Sequence, residues 1–321
     1  MRLDIRYVTR FDYGSTVVES QNELRACPAS DAHQQVVHYR VTTTPAARVA
    51  SYVDYWGTRV DTFGVAAPHE RLEVVAAATV ETVARPEPDH DVPLDALTDP
   101  AWRDVHLEFL QRSPHVAWGE AVVARAQAAA ATVGDGGDVR SLIEAVDAAV
   151  GALEYRQGRT VVGVQVEEVL ASGAGVCQDF AHLAIAMLRV LGVPARYVSG
   201  YFFTADDATG AVAETDEVEV ETHAWVEAAI PGFGWWAIDP TNRSAVGERH
   251  VTIGRGRDYD DVAPLRGVFN GAPEHELGVN VSMRRLALEP LGTPGAPGLF
   301  PAVDAASGLP RRPSGHPVVD G

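Results

Sequence analysis

The first quarter of the chain alternates apolar and polar residues in short runs that are separated by glycine, proline, aspartate or asparagine. The clearest runs are LDIRYVTRFDY at 3–13, HYRVTTT at 38–44 and RLEVVAAATVETVA at 71–84. Alternation with period two is typical of strands with one buried face, and short strands at this spacing favour an antiparallel sandwich. We therefore predict an N-terminal antiparallel β-sandwich domain over residues 1–85.

The pattern changes to helical periodicity after a Pro- and Asp-rich stretch at 86–100, which has the composition of a linker. Four helices are predicted: one that begins at Ser113-Pro114, one with Asp138 as its N-cap, a shorter one in VQVEEVLASGAG that is closed by glycines, and one that runs from Cys177 to a stop at Gly192. Strand patterns follow at 195–202, 218–230 and 235–242. We predict an α+β fold, with a core at 101–289 in which the Cys177 helix packs on an antiparallel sheet, and a disordered Pro/Gly-rich tail at 290–321.

Composition and charge argue against two classes of binding partner. The 321 residues are 46% hydrophobic and 22% charged, values typical of a soluble globular protein, and the formal net charge is −18. All 26 basic residues are arginine, and no cluster of them suits nucleic acid or an anionic membrane, so we predict neither as a partner. No secretion signal or membrane span is visible, which favours a cytoplasmic location. Nothing in the sequence indicates the oligomeric state.

The two cysteines, Cys27 and Cys177, do not form a disulfide framework, and the histidines show no metal-ligand spacing. We expect no cofactor and no metal. Cys177 alone fits a small buried apolar residue, because it lies near the N-terminal end of one apolar stripe on its helix, formed by Phe180, Ala184, Met187, Leu188 and Leu191. It also fits a nucleophile, because the positive end of a helix dipole favours a thiolate and the preceding GAG lets a substrate approach the backbone closely. Cys27 is predicted to be an ordinary thiol.

A thiolate nucleophile needs a base and a group that orients the base. THAWVEA supplies His223 within a strand, and WWAIDPTN supplies Asp239 at the end of the next strand. The turn PGFG between them predicts a hairpin, whose strands lie about 4.8 Å apart. The fold of the hairpin puts Asp239 within about three residues of the position opposite His223. The order Cys, His, Asp on helix, strand and strand predicts a catalytic triad.

These motifs resemble the core of the transglutaminase-like superfamily in its bacterial branch. The resemblance is carried by GAGVCQDFAHLAIAMLRVLGVPARYVSGYF, THAWVEAAIPGFGWWAIDPTN and GRDYDDVAPLRG, and it covers roughly residues 150–285. It extends to the N-terminus, where ELRACP and DYWGTRVDTFGVAAPHERLEV are similar to the β-region that precedes that core in bacteria. The resemblance implies a papain-like core with Cys177 as nucleophile, His223 as general base and acid, and Asp239 as the orienting carboxylate.

Other residues near the motifs are weaker candidates. Gln178 is a candidate oxyanion donor, Tyr155 a candidate at the edge of the site, and Trp225 a candidate wall of a substrate groove, although Trp225 also fits simple packing. Asp179 lies in the first helical turn, where interaction with backbone N–H groups explains it. His182 lies on a different helical face from Cys177, so a structural hydrogen bond is favoured.

The reaction stays open at this point, because the superfamily includes transamidases, peptide and amide hydrolases, and members without known chemistry. We favour hydrolysis of a peptide or protein amide substrate through a Cys177 thioester, since water is always present. Transamidation with an amine acceptor is the alternative of the same class. A non-catalytic binding or scaffold module is the alternative of another class, and a metal-dependent hydrolase is disfavoured by the lack of ligand spacing.

Overall fold

The computed structural model describes residues 1–134, 136–156, 163–204, 217–271 and 274–287. Its N-terminal region is built from strands, as the period-two alternation predicts. These strands are β1 (Arg2–Val17), β2 (Glu19–Leu24), β3 (Gln34–Thr44), β4 (Ala50–Val53), β5 (Arg59–Val65) and β6 (His69–Thr82).

The helices of the described residues lie mostly in the middle of the chain. They are α1 (Pro100–Val105), α2 (Glu120–Ala131), α3 (Val139–Gly151), α4 (Val166–Ser172), α5 (Cys177–Val190) and α6 (Tyr259–Val262), with 3-10 turns at Leu94–Thr98 and Leu107–Phe109. Asp138 caps α3 by accepting from Ser141 N at 2.8 Å, as predicted. The predicted helix start at Ser113 is wrong, because Ser113 and Val116 exchange backbone hydrogen bonds in a turn and α2 begins only at Glu120.

Strands return on both sides of α5 and continue to the end of the described chain. They are β7 (Glu154–Tyr155), β8 (Ala174–Gly175), β9 (Ala195–Phe202), β10 (Glu217–Val220), β11 (Thr222–Ile230), β12 (Gly234–Asp239), β13 (Ser244–Ala245), β14 (His250–Gly256), β15 (Leu265–Asn270) and β16 (His275–Arg285). The segment predicted as one strand at 218–230 divides at Glu221, because β10 pairs with β16 whereas β11 pairs with β9 and β12.

Three antiparallel sheets organise the described residues. Their strand orders are β10-β16-β1-β6-β3, β15-β2-β5-β4 and β13-β12-β11-β9-β14, and β7 and β8 form a small parallel pair. The first two sheets are completed by strands from the far end of the sequence: β16 pairs with β1 from Leu3–Arg285 to Tyr13–His275, and β15 pairs with β2. Contacts group Met1–Ala287 into one compact unit.

Two large apolar cores and one small cluster around Trp225 support these sheets. One surrounds α5, whose residues from Asp179 to Arg189 are buried on all sides rather than along the single predicted stripe, because α2, α3, α4, β9 and β11 enclose the helix. The other lies between the two N-terminal sheets and is formed by side chains of both, including Leu3 and Val74 from one and Leu24 and Phe63 from the other.

The predicted fold class is confirmed: the protein is α+β, with an N-terminal antiparallel sandwich and a papain-like arrangement of the α5 helix on a sheet. The domain boundaries at 85 and 101 stay a prediction, and the predicted disordered tail at 290–321 lies outside the described residues. Among the helices of the described ranges, none is both long and apolar enough to cross a bilayer.

Candidate active site

Cys177 is the first residue of α5, and the chain turns tightly to reach it. α4 ends at Ser172, and the Gly173 that caps it has a φ of 67°, a left-handed conformation that favours glycine. The next turn is closed by Asp179, whose Oδ2 accepts a hydrogen bond from Val176 N at 2.9 Å. Cys177 is half-buried, with Sγ 4.0 Å from the backbone oxygen of Thr222 on β11. The thiol therefore lies at the positive end of a buried helix and faces the sheet.

The β11–β12 hairpin brings the two predicted partners together. Its register pairs Val226 with Ile238, so Asp239 lies opposite Trp225 and two residues from His223, within the predicted interval. His223 Nε2 donates to Asp239 Oδ2 at 2.8 Å, while the same ring is hydrogen-bonded to the thiol of Cys177. The structure thus brings Cys177, His223 and Asp239 into one chain of contacts.

Electrostatic interactions among Cys177, His223 and Asp239 favour the protonated form of the His223 imidazole. Burial opposes the charge, but hydrogen bonds with Asp239 and Cys177 outweigh it and raise the pKa of His223 to about 9. Burial would likewise raise the pKa of Asp239, yet hydrogen bonds from His223 and His250 hold it well below its ordinary value. An ionised Asp239 beside a protonated His223 is the charge state that stabilises a thiolate.

A cavity of about 710 Å³ opens above the thiol. Cys177 and His223 line it, and its walls combine apolar side chains with the acidic side chains of Glu219 and Glu221. This volume falls within the range of small-molecule and peptide side-chain sites. The nucleophile candidate is therefore accessible, whereas Asp239 is 1% exposed and does not belong to the described residues that line this cavity.

The three weaker candidates occupy different places. Tyr155 lines the cavity and is 44% exposed. Gln178 is half-buried and does not belong to the described residues that line the cavity. Trp225 is completely buried in a cluster with Val198, so it packs the sheet beneath the site and offers no wall to a substrate.

Asp179 and His182 have structural partners. The hydrogen bond from Val176 explains Asp179 at the start of α5. His182 is 2% exposed, and its Nε2 accepts from Tyr259 N at 3.2 Å. Burial and the neighbouring His115 lower the pKa of His182 to about 3, which keeps the ring neutral in this role.

Two residues that the sequence did not single out contact Asp239. Asn242 Nδ2 donates to Asp239 Oδ2 at 2.7 Å, and His250 Nε2 lies 3.1 Å from the same oxygen. The DPTN turn is a sequence signal for Asn242, because an aspartate before such a turn often accepts hydrogen bonds from the next backbone amides. Asp239 Oδ1 accepts from Thr241 N and Asn242 N in this way. No local pattern points to His250, which reaches the site from β14.

His223, Asp239 and His250 also bring one possible metal-ligand atom each within 4.8 Å of one another. Hydrogen bonding already explains the spacing, because both Nε2 atoms lie against one carboxylate oxygen. A metal would need the lone pairs of both Nε2 atoms and would break both hydrogen bonds. We interpret the group as hydrogen-bonded rather than metal-binding.

Cys27 differs from Cys177 in its burial and lies away from the cavity. It is 7% exposed, and burial raises the pKa of its thiol to about 11. It therefore provides an internal reference for an unreactive thiol.

Comparison with known proteins decides the family. Residues 125–240, which include all three predicted catalytic residues, match the model of the transglutaminase-like superfamily, and residues 3–81 match the bacterial transglutaminase-like N-terminal region. Uncharacterized protein ML0607 of Mycobacterium leprae (strain TN) is 37% identical over 287 residues, which cover 89% of this chain and 99% of that protein. The chain belongs to the transglutaminase-like superfamily.

Two further similarities refine this assignment. A crystal structure from Cytophaga hutchinsonii, described as a candidate cysteine protease, aligns with a TM-score of 0.65 at 22% identity and covers 94% of both chains, so the transglutaminase-like protein shares its fold along nearly the whole length. The protein-glutamine gamma-glutamyltransferase of Pseudomonas aeruginosa is 35% identical over 72 residues, which are 22% of this chain and 10% of that enzyme.

Proposed function

We propose that the protein is a cysteine-dependent acyl-transfer enzyme that cleaves peptide or carboxamide bonds and passes the acyl group to water. The observation that carries this proposal is the contact chain from Cys177 through His223 to Asp239 at the wall of an open cavity. The matched superfamily and the fold shared with a candidate cysteine protease support it. We keep the cytoplasm as the proposed location and a peptide or protein amide as the proposed partner.

The proposed reaction has two halves. In the first, the Cys177 sulfur bonds to the carbonyl carbon, and His223 gives its proton to the nitrogen as the C–N bond breaks, which leaves a thioester and a free amine or ammonia. In the second, neutral His223 takes a proton from water as the oxygen bonds to the carbonyl carbon. The C–S bond then breaks and the thiolate–imidazolium pair is restored.

Transamidation is the second candidate, and two observations favour it. The similarity to a protein-glutamine gamma-glutamyltransferase includes only 72 residues, but the name of that relative gives glutamyl-group transfer as its activity. Glu219 gives the cavity wall a negative charge that attracts an alkylammonium group. In this version, an amine replaces water in the second half-reaction.

The deciding experiment traps the acyl-enzyme by intact mass spectrometry across a library of peptides and simple carboxamides. We expect a mass increase equal to the acyl group in the native protein and none in Cys177→Ala. Glutamine peptides, assayed with and without a fluorescent primary amine, then separate ammonia release from amine incorporation. Activity should be insensitive to EDTA, and loss of activity with EDTA would favour a metal-dependent hydrolase.

The hypothesis of a non-catalytic module predicts different results. No member of the library would then form an adduct with the protein, and Cys177 would react with iodoacetamide as slowly as an ordinary thiol. That pair of results would overturn the proposal.

A further inference from the structure

His250 is the first residue of β14, and it is 2% exposed. Its Nε2 lies 3.1 Å from Asp239 Oδ2, the same oxygen that accepts from His223 Nε2 at 2.8 Å. The ring is held in place by Phe202 and Trp225, whose centroids lie 4.6 and 5.3 Å from it. A second imidazole is therefore fixed against the orienting carboxylate, and it does not belong to the described residues that line the cavity.

The proton of this imidazole can be assigned. Gly247 N donates to His250 Nδ1 at 3.3 Å, so Nδ1 carries a lone pair and the proton of a neutral ring lies on Nε2. Nε2 points at a carboxylate oxygen, which only accepts. Burial lowers the pKa of His250 and supports the neutral form.

We infer that His250 is a positioning residue, a neutral imidazole that donates its Nε2–H to Asp239 and thereby fixes the carboxylate that orients His223. This inference rests on the proposed function, since it gives His250 a role in aligning the Cys177–His223 pair. Asp239 Oδ1 is already held by the backbone amides of Thr241 and Asn242, so the donors on Oδ2 determine the remaining freedom of the carboxylate. Hydrogen bonds to an ionised group are stronger than those between neutral groups. A residue that holds the carboxylate in place therefore also fixes the orientation of the imidazole bonded to that carboxylate.

Charged and titratable groups from three other parts of the described chain act on His250. Asp239 on β12 accepts its proton, His223 on β11 has its ring centroid 6.2 Å away, and Arg85, which follows β6, acts on it through its charge. Arg85 and a protonated His223 both disfavour a second positive charge. The surroundings thus agree with a neutral donor.

The test compares two substitutions in a Cys27→Ser background. His250→Gln keeps an N–H donor near the position of Nε2, whereas His250→Phe keeps the ring against Phe202 and Trp225 without a donor. The readout is the pH dependence of iodoacetamide alkylation at Cys177, with the thermal midpoint as a measure of folding. We expect His250→Phe to slow alkylation at mildly acidic pH by about 10-fold or more, and His250→Gln to stay within about threefold of the native rate.

A purely structural role would lower the thermal midpoint of both variants without moving the pH profile of Cys177. A native profile in folded His250→Phe overturns the inference, as does a His250→Gln variant that is as slow as His250→Phe.

A second measurement is independent of turnover and of any variant. Nitrogen-15 NMR of the native protein should show His250 as the neutral Nε2–H tautomer, and an Nδ1–H tautomer would overturn the inference. If native Cys177 is alkylated no faster than an ordinary thiol, the proposed function fails. The NMR result still decides whether His250 donates to Asp239.

Discussion

One carboxylate oxygen, Asp239 Oδ2, is contacted by two imidazoles and a side-chain amide. The sequence predicted the contact with His223, because a hairpin with a short turn has a readable register. It did not predict the contact with His250, because β14 pairs with β9 and lies three positions from β12 in the sheet. Residues within one hairpin can be placed from local pattern, whereas residues across a sheet depend on strand order.

The reactivities of the two cysteines should differ. We expect iodoacetamide to modify Cys177 at least about tenfold faster than Cys27 at mildly acidic pH, because the His223 imidazolium favours the thiolate of Cys177 while Cys27 is buried. As pH rises through about 9, His223 loses its proton and this advantage declines. Peptide mass spectrometry after timed labelling measures both rates. Equal, slow rates would rule out an activated nucleophile.

Asp147 on α3 makes stability depend on pH. Its Oδ1 is buried without a hydrogen-bond partner among the described residues, and burial together with the charge of Asp239 raises its pKa to about 6. Because the folded-state pKa lies above the ordinary value of about 3.9, this carboxyl destabilises the fold as pH rises from about 4 to 6. We expect Asp147→Asn to increase the free energy of unfolding by about 1–2 kcal/mol at neutral pH.

Urea denaturation at two pH values tests this prediction. The gain from Asp147→Asn should be present at neutral pH and should vanish near pH 4, where the native carboxyl is already protonated. A gain of the same size at both pH values would mean that the substitution acts through packing instead.

At the scale of elements, the boundaries of α5 followed from its sequence, whereas its environment did not. The chain enters the helix at Cys177 and leaves it before Gly192, as the glycines on either side predict. The periodicity indicated one buried stripe, but the helix is surrounded by other helices and a sheet. Small residues outside that stripe, such as Ala181 and Ala186, allow close approach on other faces of the helix, and the stripe itself does not reveal this.

One buried carboxylate joins three strands of the sheet that carries His223 and Asp239 to the segment after β6. Glu227 on β11 is 1% exposed and lies 2.6 Å from Arg196 on β9, 2.9 Å from Arg255 on β14 and 3.4 Å from Arg85. Glu227→Gln removes the charge that these three guanidinium groups share. We expect a loss of about 3–5 kcal/mol in the free energy of unfolding, measured by urea denaturation.

Glu81→Gln is the matched control, because Glu81 forms an exposed ion pair with Arg2 at 3.7 Å. It should change the free energy of unfolding by no more than about 0.5 kcal/mol. Losses of equal size at the two positions would show that the buried network does not join the strands.

At the scale of the whole molecule, the class of the fold was predictable and the strand order was not. Alternation along β1 and β6 indicated half-buried strands, yet nothing local could show that β15 and β16 complete the N-terminal sheets. Such pairings join residues far apart in sequence, such as Leu3 and Arg285, and periodicity within a window carries no information about them.

The topology predicts the effect of shortening the chain. Truncation after Ala263 removes β15 and β16 and leaves the hydrogen-bonding edges of β1 and β2 without partners, so we expect an aggregating protein. Truncation after Ala287 keeps the compact unit and should retain a cooperative thermal transition. Size-exclusion chromatography and circular dichroism distinguish these results. A soluble, cooperatively folding product of the shorter truncation would contradict the prediction.

The pairing of β1 with β16 also sets an order of events during synthesis. The first strand leaves the ribosome early, while the strand that pairs along it is among the last described residues to emerge. The N-terminal sheet must therefore wait, with one edge open, until almost the entire compact unit has been translated. Because contacts of such long sequence separation form slowly, the yield of native protein is governed by folding rate and by protection of that edge as well as by final stability.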